Sequence, residues 1–205
     1  MTRLIIVRHG NTFGPGETPR RVGGRTDIPL VESGIAQAIT LGQHFKGEGI
    51  FPDIIYTSEL QRTRQTAEYI LKEFKKNMEI NVLPMFNEVD YGPDENKVEA
   101  DVIARLGSEA LQKWDQDAIV PEGWAFNPDR AIESWRDFGD RVAQDFCGQT
   151  VMVVTSNGIA RFAPYLTGDY EQFKSEFNIK LKTGSYGTLV CEKSVWRAEN
   201  WGMRP

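Results

Sequence analysis

The strongest constraint on this chain is an alternation. Short β-branched apolar runs at 4–7, 54–56, 80–83 and 151–155 are separated by longer stretches with helical periodicity. That order of elements is the mark of α/β architecture with a mostly parallel central sheet. Residues 33–45 place Ile35, Ala38, Ile39, Leu41 and Phe45 on one helical stripe, with Ser33-Gly34 as its start. Residues 62–74 repeat the pattern through Ala67, Ile70 and Leu71, and a third helix is predicted over 131–146. Near the C-terminus, 186–192 and 195–200 flank Lys193-Ser194, a two-residue gap that predicts a hairpin although it lacks Asn-Gly chemistry. Between 93 and 130 the sequence offers one helical stretch near 101–114, then a Pro- and Trp-containing segment. This reads as an insertion or lid.

With 205 residues, 40% hydrophobic and 26% charged, the chain can bury one substantial core, so 1–205 is read as a single domain. Cys147 and Cys191 match no metal or redox spacing and are expected to pack as small buried apolar groups in a reducing compartment. The first apolar run, 4–7, is far short of a secretory or membrane segment, and the expected location is the cytoplasm. A net charge of −5 argues against nucleic acid or an anionic membrane as partner. It is compatible with a small anionic substrate, because a few convergent arginines can dominate the field inside a cleft. The oligomeric state is left open by these features.

In open α/β sheets ligands bind beyond the carboxyl ends of the strands, and here each such end is chemically loaded. The first run is followed by Arg8, His9, Gly10, Asn11 and Thr12, the second by 57–67 with Arg62 and then Thr66-Ala67, the third by 86–92 with Glu88. A histidine beside an arginine at a strand's exit suits a phosphate. Neutral imidazole is a nucleophile near neutral pH, and guanidinium groups compensate phosphoryl charge.

Residues 7–12 resemble the signature of the histidine phosphatase superfamily, which includes the phosphoglycerate mutases and many small phosphatases. Further likenesses follow in order: Gly24 to Leu30, Gly34 with Gln37-Ala38, the block around Arg62, and the segment around Glu88, resuming at Glu133-Ser134. The resemblance implies a phosphoglycerate mutase-like three-layer sandwich with no cofactor and no metal. It also implies a small phosphorylated substrate. His9 would be transiently phosphorylated, and Arg8 and Arg62 would clamp the phosphoryl oxygens. Glu88, favoured over Asp90 and Glu95 by register, would protonate the leaving oxygen and then activate water. Asn11, Thr12 and Arg25 are further candidates for binding the phosphate.

One element of the pattern is missing. Where the family presents a second histidine after a late strand, this chain reads Thr155-Ser156-Asn157-Gly158-Ile159-Ala160-Arg161. Counting back from Arg161 puts Ser156 at the histidine's place, whereas matching the Ser-x-Gly triplet puts Asn157 there. The leading expectation is a metal-independent phosphatase acting through phospho-His9. The alternatives are a catalytically impaired phospholigand-binding or regulatory protein and, third, a phosphoglycerate mutase.

Overall fold

Alternate residues of the first apolar run serve two different cores. In the computed structural model, which describes residues 1–75 and 77–205, Leu4 and Ile6 of β1 (Thr2–Arg8) enter one core and Ile5 and Val7 the other. β4 (Thr150–Thr155) divides Val151 and Val153 from Met152 and Val154 in the same way. An uninterrupted apolar run, instead of an apolar–polar alternation, is what a strand covered on both faces requires. One face is closed by α1 (Glu32–Gly47) and α2 (Gln61–Phe74), through Leu41, Phe45, Ala67, Ile70 and Leu71. The other is closed by α5 (Pro128–Asp145), through Trp135, Phe138 and Val142. The result is the expected three-layer α/β sandwich. Each fully buried side chain of this kind contributes roughly 1.5–3 kcal/mol.

The sheet also contains β2 (Ile54–Thr57), β3 (Ile80–Val82), β5 (Tyr186–Glu192) and β6 (Val195–Met203), in the order β3-β2-β4-β1-β5-β6. The first four in that order run parallel, β5 is antiparallel to β1, and β6 is antiparallel to β5. β1 therefore lies inside the sheet with its exit beside those of β4 and β2, which concentrates the loaded turns on one rim. The hairpin between β5 and β6 turns at Lys193 and Ser194, which hold φ of 51° and 64°. Two left-handed residues form the tight turn that suits strand twist, even without Asn-Gly.

The structure corrects two expectations. The single helix foreseen over 101–114 is two, α3 (Glu99–Leu106) and α4 (Ser108–Asp117), because Gly107 at φ 78° ends the first and starts the second. Both helices pack inward, with Val102, Leu111 and Trp114 in the core with Trp135. Cys147 is exposed, since it falls in the turn after α5; only Cys191, on β5, is buried. Among the described residues no helix is long and apolar enough to cross a membrane.

Candidate active site

The strand exit fixes His9. Its amide donates to Thr155 O at 3.1 Å, extending the β1–β4 ladder, and the residue is 6% exposed. Nδ1 lies 2.7 Å from Gly10 O, so this nitrogen carries the proton and Nε2 keeps its lone pair. Burial, with Arg62 and Arg8 close by, holds the imidazole pKa well below the usual value. His9 is thus a neutral imidazole of defined tautomer in a positive environment.

Arg8 donates from Nη1 to Leu181 O at 2.6 Å. Arg62, in the first turn of α2, is fully buried and donates to Thr26 O at 2.8 Å and Gly23 O at 3.1 Å. The Nε of each is buried and has no hydrogen-bond partner among the described residues. Burial lowers the pKa of both guanidiniums, and Glu88 opposes that shift. The fork is held by carbonyls while donors remain for an oxyanion.

Glu88 follows a short 3-10 turn, Pro84–Phe86, and its carboxylate is held by two amides: Val89 N at 2.9 Å and Gly158 N at 3.1 Å. A Cβ at position 158 would overlap the Glu88 carboxylate, so any side chain there displaces the acid. The competing acids are engaged elsewhere. Asp90 pairs with Arg25 at 3.0 Å, and Glu95 accepts from Gly23 N, Thr26 Oγ1 and Tyr91 N.

Arg8, His9, Asn11, Thr12, Glu88 and Asn157 line one cleft of about 740 Å³. Arg62 is fully buried and not among the residues lining the cleft, but is close enough to bias His9. Arg25 is not part of it. Its guanidinium is exposed and tied to Asp90 and to Gly92 O at 2.7 Å. Asn11 is a strap, its side chain bonded to Ser33 and Thr183.

Ser156 and Asn157 are distinguished by geometry. Ser156 follows Thr155, whose carbonyl accepts from the His9 amide; it is not among the residues lining the cleft, and its hydroxyl is buried with no partner among the described residues. Asn157 opens α6 (Asn157–Ala160) on the cleft wall, with Oδ1 accepting from Leu181 N at 2.9 Å.

Sequence reasoning missed two buried wall residues. Arg161 served there only as a register mark, yet it is fully buried and lines the cleft. Tyr91 lies in the segment searched for the acid; burial and Glu88 push its phenol pKa far above the usual value. The available signal was position: one lies a helical turn past the missing histidine, the other three residues past Glu88.

The family model for the histidine phosphatase superfamily (branch 1) matches residues 4–204. A 2,3-bisphosphoglycerate-dependent phosphoglycerate mutase of Bartonella quintana is 33% identical over 142 residues, 68% of this chain and 64% of that protein. The chain thus spans less than two thirds of the length of such mutases. A mycobacterial glucosyl-3-phosphoglycerate phosphatase superposes with a TM-score of 0.80 at 22% identity, covering 98% of each chain. A phosphoserine phosphatase mutant of Entamoeba histolytica superposes with a TM-score of 0.76 at 20% identity, covering 98% of this chain and 97% of that one. At these identities the superpositions establish the fold.

Proposed function

The chain belongs to the histidine phosphatase superfamily, and from that premise we propose that it is a metal-independent phosphatase that hydrolyses a small phosphomonoester through a phosphohistidine on His9. The observation that carries this reading is the His9 tautomer. With Nδ1 donating to Gly10 O, the lone pair on Nε2 is available in a cleft shared with Arg8 and Glu88.

In the first step Nε2 attacks phosphorus, the P–N bond forms, and the ester P–O bond breaks. Arg8 and Arg62 compensate charge on the non-bridging oxygens, and Glu88 delivers a proton to the leaving oxygen. In the second step Glu88 takes a proton from water, which attacks phosphorus and breaks the P–N bond. Phosphate leaves, and neutral His9 is restored.

The reading treats 1–205 as one domain in which the 93–130 insertion forms a wall over the cleft and selects the substrate. Trp114 and Asp115, from the end of α4, stand on that wall. Two free cysteines, one of them exposed, suit a cytoplasmic location. The net charge of −5 favours neither nucleic acid nor an anionic membrane as partner.

A second reading, a phospholigand-binding protein without turnover, is favoured by one observation: neither Ser156 nor Asn157, which follow β4, is a cation. Loss of one transition-state donor costs about 10²–10³ in rate, which slows a phosphatase without abolishing it. A mutase would also have to retain the phosphoenzyme and hold two phosphates, and it ranks third. Hydrolysis of p-nitrophenyl phosphate in excess chelator tests the choice. Turnover that survives the chelator and is lost in His9→Ala supports the phosphatase; phosphate binding without turnover supports the binding protein.

A further inference from the structure

Arg161 has no part in the mechanism above, yet its placement is costly unless it meets an anion. It is fully buried, lines the cleft with His9 and Glu88, and is close enough to Arg8 to disfavour the Arg8 cation. Its contacts come from the insertion. The guanidinium lies 3.9 Å from the centroid of the Trp114 ring, and Nη1 donates to Trp114 O. Nε makes a long 3.4 Å bond to Asn157 O. Nη2 is buried without a hydrogen-bond partner among the described residues, and the nearest carboxylate oxygen, Asp115 Oδ1, stands off at 3.8 Å because Asp115 bonds Lys180 at 2.6 Å through its other oxygen. An uncompensated buried donor on a charged group is expensive unless a ligand satisfies it.

We propose that Arg161 is the third guanidinium of the phosphoryl site: it is held by Trp114 and directs Nη2 to a non-bridging oxygen, so that the insertion positions a group of the catalytic centre. The inference rests on the phosphoryl reading of the cleft. It also assigns the place where positive charge re-enters a site that has neither a histidine nor another cation at 156 or 157. Trp114 orients the planar fork through stacking and its carbonyl, and Asp115 competes with the ligand for Nη2.

The test is calorimetric titration of the full chain with inorganic phosphate. Arg161→Gln should weaken phosphate binding roughly tenfold to a hundredfold, as loss of a charge-assisted hydrogen bond requires. Since a buried substitution can unfold the protein, thermal melts accompany it, and a second comparison stands independently. Asp115→Asn in a Lys180→Met background removes the competing carboxylate while no Lys180 charge is released. Phosphate should then bind about threefold more tightly. Unchanged affinity in folded Arg161→Gln, or unchanged affinity on Asp115→Asn, overturns the role of Arg161 and leaves the phosphatase reading standing if the wild type binds phosphate. A wild type that binds no phosphate overturns both.

Discussion

The amide of Gly158 meets Glu88 Oε2 at 3.1 Å, and the same glycine leaves no room for a side chain beside that carboxylate. The candidate acid, from the turn after β3, is thereby positioned by the turn after β4. Gly158→Ala should push the carboxylate aside, lowering kcat by roughly tenfold or more while the protein stays folded, because misplacing a catalytic group by an ångström costs on the order of 10²-fold. Circular dichroism and steady-state kinetics check this.

Removing the carboxyl's acidity has a different signature. Glu88→Gln should slow turnover of alkyl phosphates by about 10²–10⁴, the usual range for general acid–base catalysis, and of p-nitrophenyl phosphate much less in the first step, since nitrophenolate leaves without a proton. Burst kinetics on the two ester classes measure the difference. Equal first-step effects would point away from Glu88 as the acid.

Nitrogen-detected NMR can follow the chain's two histidines separately. His9 should show a protonated Nδ1 and a bare Nε2 and should titrate well below an exposed imidazole, because burial, Arg62 and Arg8 all disfavour its cation. The unfolded chain takes up that proton first, so the His9 contribution to stability is complete above about pH 6.5 and declines as the pH falls toward the folded-state value. Urea melts across this range should show the decline, and His9→Gln should remove it.

Ser156 is the position where an added imidazole forfeits no hydrogen bond seen among the described residues, and it directly follows Thr155, whose carbonyl accepts from the His9 amide. Ser156→His should therefore raise kcat/KM for a simple phosphoester, by stabilising charge in the transition state. Asn157→His should lower it, because Asn157 Oδ1 already holds Leu181 N. The opposite ranking would assign the family's histidine position to 157.

What the sequence revealed follows from range. Strands buried on both faces announce themselves as apolar runs, and the bounds expected for β5 are those observed, as are the residues turning the hairpin. The motif register likewise singled out His9 and Glu88, which share the cleft. The partners of Arg25, Asp90 and Gly92, were not legible, because they lie more than sixty residues away and no local pattern records such a pairing. Arg161 was overlooked for the same reason: Trp114 and Asp115 reach it from an insertion with no motif of its own. The break at Gly107 was legible in principle, since glycine between two helical stripes favours a cap over a continuous helix.

The hairpin offers a test remote from the cleft. Lys193 and Ser194 both bear left-handed backbone strain. Replacing them with Asn-Gly should raise stability by about 1 kcal/mol or more and leave turnover unchanged, as measured by urea melts and ester hydrolysis.

The central claim, a covalent phosphohistidine at residue 9, is tested most directly by rapid quenching of the enzyme with a labelled phosphoester in the presence of chelator, followed by mapping of the label. The account predicts acid-labile, base-stable label on His9, absent from His9→Ala. Label on any other residue, or turnover persisting in His9→Ala, would contradict it.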